Sequence, residues 1–97
     1  MKFNSRFVVK SVNDMQIIRF YAKWCNKCKI FSDKKTLGYD TDVDIDAPSS
    51  KVFMLKHQIS IVPTFIVLSD KGRVKGKLSN PTTIEEYENW KKKVTQK

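Results

Sequence analysis

Acidic side chains are scarce in this chain: ten aspartates and glutamates stand against nineteen lysines and arginines, for a formal net charge of +9. The excess favours solubility and acidic partners in a general way. No block of charge dominates, because the basic residues are scattered from Lys2 to Lys97 and broken by Asp-rich and Glu-rich stretches. They are not interleaved with aromatics on one element, and no RRM, KH or helix-turn-helix signature is present, which argues against a nucleic-acid binder. Histidine occurs once and cysteine twice, too few for the four ligands of a zinc site. Glycine and proline number three each, and no linker, repeat or low-complexity segment divides the chain. No apolar run is long enough to cross a bilayer. The opening MKFNSRFVVKSVNDMQ has neither an apolar core nor a small-residue cleavage site of the secretory kind. The expected location is therefore cytoplasmic, where a lone cysteine pair points to catalysis or metal binding rather than to a structural staple. What is present suits one domain over residues 1–97: 40% hydrophobic and 11% aromatic content closes a single core unaided by disulfides or metal.

Strand and helix signals alternate along the chain. RFVVKSV (6–12) and MQIIRFY (15–21) read as strands separated by Asn13 and Asp14. A helix is expected from Cys25 to about Leu37, stopped by Gly38. DVDID (42–46) alternates with period two, placing Val43 and Ile45 on one face. Ala47-Pro48-Ser49 opens a second helix that carries Val52, Phe53, Leu55 and Lys56 to about His57. TFIVL (64–68) reads as a buried strand, Asp70-Lys71-Gly72 as a hairpin turn and RVKGKL (73–78) as its weaker partner. Thr82 and Glu85 form a capping box, and Ile84, Tyr87, Trp90 and Val94 the apolar stripe of a last helix. The expected fold is an α/β sandwich around a mixed sheet.

The stretch IIRFYAKWCNKCKIF (17–31) carries the chemistry. Its two thiols, spaced C-x-x-C, are a redox pair, half of a metal site, or two ordinary buried residues. DTDVDID mimics a calcium loop only superficially, since Ile45 stands at the expected Gly and Lys51 at the closing Glu. His57, at a helix end far from the motif, is expected at the surface, and Trp90 in the core.

Three segments together resemble the thioredoxin superfamily: IRFYAKWCNKCK, the VDID strand, and ISIVPTF at 59–65 followed by a strand and a Gly turn. The resemblance spans about residues 15–94 and selects the redox reading of Cys25 and Cys28. It implies a thioredoxin-like fold, a central mixed β-sheet flanked by helices. It also implies a cis peptide before Pro63, packed beside the cysteines, and a Val62 backbone that pairs with an extended substrate segment. With Cys25 at a helix start, unpaired N–H groups and the positive helix end favour its thiolate. Cys28, three positions on, lies within reach to resolve a mixed disulfide. Trp24 shields the site and offers an apolar contact. Lys27, with Lys23 and Lys29, favours the thiolate electrostatically.

Departures from the family pattern are equally specific. Only 23 residues precede Trp24, so the N-terminal region is shortened and residues 1–14 are expected to add an edge strand. Asn26-Lys27 replaces the usual Gly-Pro between the cysteines. A glycine that normally borders the site is replaced by Ser79 or Asn80, of which Asn better tolerates left-handed geometry. Where thioredoxins carry a buried aspartate that serves the resolving cysteine, this chain has Arg19. Aligning VDID with the family strand places Asp42 at the usual partner lysine. Arg19 and Asp42 are thus expected to form the same contact with charges exchanged, tuning the Cys28 thiol; the alternative is an Arg19 that reaches water.

The function implied is thiol–disulfide oxidoreductase, acting on protein disulfides as a monomer without cofactor or membrane. Its reductant would be a thioredoxin reductase or glutathione, and its target could be ribonucleotide reductase. The competing reading is a thioredoxin-fold module that binds a polymerase or a nucleic-acid-associated partner without redox turnover. Such a binder would not need both cysteines.

Overall fold

Alternation along two central strands sets the architecture of the computed structural model, which describes residues 15–95. Strand β1 (Gln16–Tyr21) pairs in parallel with β2 (Thr41–Asp44) on one side and antiparallel with β3 (Thr64–Leu68) on the other. Strand β4 (Val74–Ser79) pairs antiparallel with β3 and closes the order β2-β1-β3-β4. Every residue of β3 is buried, as expected of a strand covered on both faces. Edge strand β4 is largely exposed, and its Lys75 and Lys77 discourage pairing with another chain.

Successive side chains point to opposite faces, which divides the core into two layers. Ile18, Phe20, Ile66 and Leu68 share one layer with Cys25, Cys28 and Val62, against Phe53 and Met54. Ile17, Phe65 and Val67 share the other with Phe31, Leu37, Tyr39, Tyr87 and Trp90. Phe65 is the centre of this aromatic layer, with ring centroids 4.5 Å from Tyr87, 5.5 Å from Phe31 and 5.7 Å from Tyr39. Truncating such a side chain costs about 3–5 kcal/mol.

The mixed sheet, the Tyr21 end of β1, the hairpin and the terminal helix follow the sequence expectation, and several boundaries do not. The helix expected from Cys25 to Leu37 is two short helices, α1 (Asn26–Ile30) and α2 (Lys34–Leu37). Ser32 and Asp33 cause the break. The Ser32 hydroxyl donates to the Lys29 carbonyl at 2.9 Å, and the Asp33 carboxylate accepts the Thr36 N–H at 3.2 Å. Such side chains offer the backbone alternatives to a continued helix. Gly38 ends α2 in the left-handed region, with φ 75°. Strand β2 stops at Asp44 because the Asp44 carboxylate turns the chain by accepting the Asp46 N–H at 3.0 Å. Ile45 nevertheless packs on the core with Val43.

A 3₁₀ turn, Pro48–Ser50, leads into α3 (Lys51–His57). His57 is buried rather than exposed, its ring 4.5 Å from that of Phe53. Residues four apart share a helix face, so Phe53 and His57 turn inward together. Val52 and Leu55 take the opposite side and are about four-fifths exposed, at 77% and 80%.

The last helix, α4 (Ile84–Thr95), buries Tyr87 and Trp90. Its cap lies one residue later than Thr82 and Glu85. The Thr83 hydroxyl oxygen accepts the Glu86 N–H at 3.1 Å, and the Glu86 carboxylate accepts the Thr82 N–H at 2.9 Å. The strand expected at 6–12, and with it the edge strand within 1–14, lies outside the described residues. No helix among the described residues is long and apolar enough to cross a membrane.

Candidate active site

Strand β1 delivers the cysteine motif to the end of the sheet. After Tyr21 the chain turns, with the Cys25 N–H bonded to the Ala22 carbonyl at 3.1 Å. Cys25 caps α1 with its own sulfur, which accepts the Cys28 N–H at 3.2 Å. The two sulfurs are joined as a disulfide across a Cα separation of 5.3 Å. Cys25 is 7% exposed and Cys28 only 2%, so Cys25 is the more accessible sulfur-bearing residue. Trp24, 66% exposed, stands beside them, its indole N–H donating to the Asp46 carboxylate at 2.8 Å.

The opposite wall comes from the approach to β3. The Val62–Pro63 peptide is cis, and Val62 packs in the same apolar cluster as both cysteines. The Thr64 hydroxyl donates to the Ile61 carbonyl at 2.7 Å, which braces this loop. Among the described residues, no hydrogen bond engages the Val62 N–H or carbonyl. The Pro63 carbonyl accepts the Asn80 N–H at 2.8 Å. Asn80 has φ 54°, in the left-handed region, and so takes the place that the sequence left open between Ser79 and Asn80. Its side-chain oxygen accepts from Lys27 Nζ at 2.6 Å. Lys27 is therefore tied through Asn80 to Pro63, and the two walls are fastened to each other.

Arg19 lies beneath the motif and is buried. Its Nε donates to Asp42 Oδ1 at 2.5 Å and its Nη1 to the Cys28 carbonyl at 2.9 Å. The parallel pairing of β1 and β2 sets Arg19 directly beside Asp42. The guanidinium also stacks on two rings, 4.5 Å from the centroid of Tyr21 and 5.4 Å from that of Tyr39. Cation–π contacts of this kind stabilise a charge withdrawn from water. Burial pushes the Tyr39 hydroxyl up to about 12, so it stays neutral and donates to the Phe31 carbonyl at 2.8 Å. A cavity of about 230 Å³ opens between Arg19, Lys23, Lys29 and Ser32, with Tyr21 and Cys28 in its walls.

All the expected site residues gather at this end of the sheet. Three contributors were not foreseen. Tyr21 sits two residues beyond Arg19 on the same strand, a spacing that suggests a shared face. Asp46 and Tyr39 reach the site only through the return of the chain, and nothing local announces them.

A cysteine pair at a helix start, facing a cis-proline across the end of a mixed sheet, defines a thioredoxin-fold dithiol protein. A sequence profile of the thioredoxin family matches residues 2–93. The chain is 31% identical over 80 residues to mitochondrial thioredoxin-3 of Saccharomyces cerevisiae, covering 75% of this chain and 62% of that protein. It thus spans less than two thirds of that relative's length. The reduced thioredoxin pre-protein of Schistosoma mansoni superposes with a TM-score of 0.68 at 27% identity, over 89% of this chain and 84% of its own. A chain in the complex of ferredoxin:thioredoxin reductase with thioredoxin f2 superposes with a TM-score of 0.73 at 22% identity, over 92% and 86%. This chain belongs to the thioredoxin family.

Proposed function

We propose that this protein is a thiol–disulfide oxidoreductase that reduces protein disulfides through Cys25 and Cys28. The observation that carries the reading is the Cys25–Cys28 disulfide at the start of α1, beside the cis Val62–Pro63 bond. In the cycle, the Cys25 thiolate attacks one sulfur of the substrate disulfide. A mixed disulfide forms and the other substrate sulfur leaves as a thiolate. Cys28 then loses its proton and attacks the Cys25 sulfur. That step breaks the mixed bond, frees the second substrate thiolate and leaves the Cys25–Cys28 disulfide. A reductant returns two electrons to restore both thiols.

The surrounding residues take distinct parts. Trp24 offers an exposed apolar face to the partner, and the free Val62 backbone groups pair with an extended substrate segment. Pro63 holds that edge against the cysteines. Lys27 favours thiolate over thiol at Cys25, and Arg19, held by Asp42, does so for Cys28. Residues 1–97 form one domain acting as a monomer in a reducing compartment, the cytoplasm. A thioredoxin reductase or glutathione supplies the electrons, and ribonucleotide reductase is one candidate acceptor.

A disulfide-reduction assay driven by dithiothreitol tests the reading. Wild type should turn over, whereas Cys25→Ser should abolish turnover. A wild-type rate no higher than that of Cys25→Ser would leave the partner-binding module as the better description.

A further inference from the structure

A guanidinium carries five N–H donors in one plane, and Arg19 engages two of them, with Asp42 and with the Cys28 carbonyl. Tyr21 and Tyr39 lie against the guanidinium as ring partners. Among the described residues no acceptor meets the remaining donors. Arg19 is only 6% exposed, and an unmet buried donor on a charged group is costly. The direction left open is the 230 Å³ cavity that Arg19 shares with Lys23, Lys29, Ser32 and Cys28. Its lining holds three cations and no carboxylate; Asp42 is outside it. Asp42 already offsets the Arg19 charge and water could satisfy the donors, but neither answers the ammonium groups of Lys23 and Lys29 at the rim. A planar fork of N–H groups matches an oxyanion, which it holds through two parallel bonds.

We propose that this recess binds a small oxyanion, of the phosphate or carboxylate type, and does so more tightly when Cys25 and Cys28 are oxidised. The anion docks on the free donors of Arg19, and the exposed Lys23 and Lys29 close over it from the rim. The redox coupling rests on the oxidoreductase reading above. Reduction adds two electrons to the Cys25–Cys28 bond and breaks it, and each sulfur either takes a proton from water or remains a thiolate. Negative charge on the Cys25 thiolate, beside the Cys28 wall of the recess, repels a second anion. By linkage, an anion that favours the disulfide lowers the reduction potential.

The test titrates sodium phosphate, and separately acetate, into the full chain with chloride replaced at constant ionic strength. Arg19 Nε–H is followed by nitrogen–proton correlation spectroscopy in each redox form. The midpoint potential is read in a dithiothreitol buffer, which carries no charge of its own. The expected result is a saturable shift of Arg19 Nε–H with at least one of the two anions, tighter in the oxidised protein. A tenfold preference appears as a potential about 30 mV more negative at saturation. Lys23→Gln with Lys29→Gln, both at exposed positions, should weaken that binding several-fold while the spectrum stays that of the folded protein. A linear shift with both anions, equal affinity in the two forms, or a response unaltered by the lysine changes would overturn the proposal. If the cysteines do not cycle with dithiothreitol at all, the oxidoreductase reading fails, and titration of the oxidised form still decides whether the anion site exists.

Discussion

Arg19 and Asp42 face each other across the parallel pair β1 and β2, with Nε and Oδ1 2.5 Å apart. The arginine side chain is almost fully withdrawn from water, and the aspartate is one-third exposed. Removing the carboxylate therefore strands a buried charge. Asp42→Ala should lower stability by about 1.5–3 kcal/mol, the range for a charged hydrogen bond. In urea unfolding, Arg19→Met combined with Asp42→Ala should cost less than the two single changes added together. Strict additivity would show that the pair contributes nothing.

Cys25 caps α1 while Cys28 is sealed beneath it, so the two thiols should divide the work. A Cys28→Ser variant should accumulate a mixed disulfide with substrate, and Cys25→Ser should not. Mass spectrometry decides the point: adducts on Cys28 but none on Cys25 in the wild type would reverse the assignment.

Lys23, Lys27 and Lys29 surround the pair, and no carboxylate lies between Arg19 and Phe31. Positive surroundings stabilise thiolates and hence the reduced form, which makes the disulfide more oxidising. The potential should lie above the thioredoxin value of about −270 mV, toward the glutaredoxin range of about −200 to −230 mV. Equilibration with a glutathione redox buffer measures it. A value at or below the thioredoxin figure would refute the electrostatic argument.

His57 is buried against Phe53. Burial first, then Lys56 and Lys77, lowers its pKa from 6.5. The folded state thus favours the neutral ring, and the unfolded chain binds the extra proton over the interval between the two pKa values. Stability is full above about pH 6.5 and falls as pH drops toward the folded value, below which the loss levels off. His57→Phe should flatten that part of the pH profile. An unchanged slope would place its origin elsewhere.

Gly38 adopts φ 75°, and a Cβ there would run into Lys91 Nζ. That ammonium donates to the Leu37 carbonyl at 2.9 Å, tying α4 to the end of α2. Gly38→Ala should cost about 1–2 kcal/mol from the left-handed backbone alone, plus whatever the displaced lysine loses. A thermal midpoint equal to that of wild type would contradict this.

Much of this protein was legible in its sequence because the signals are local. The β-branched and aromatic content of MQIIRFY and the apolar run TFIVL mark the two central strands, the stripe of Tyr87 and Trp90 marks the last helix, and Asp70-Lys71-Gly72 marks the hairpin. The resemblance of the Cys25–Cys28 motif and the downstream VPTF to thioredoxins indicated the chemistry. Less local features were decided by the tertiary structure. Ser32 and Asp33 could have sat on an exposed helix face, but their side chains bond the local backbone where Phe31 packs into the aromatic layer around Phe65. His57 is buried because α3 turns Phe53 toward the sheet. The cage around Arg19 needs Tyr39 and Asp42, twenty or more residues away, brought back by the crossover into β2. Local patterning fixes which residues prefer a strand or a helix, but a buried charge finds its partners only when distant segments close around it.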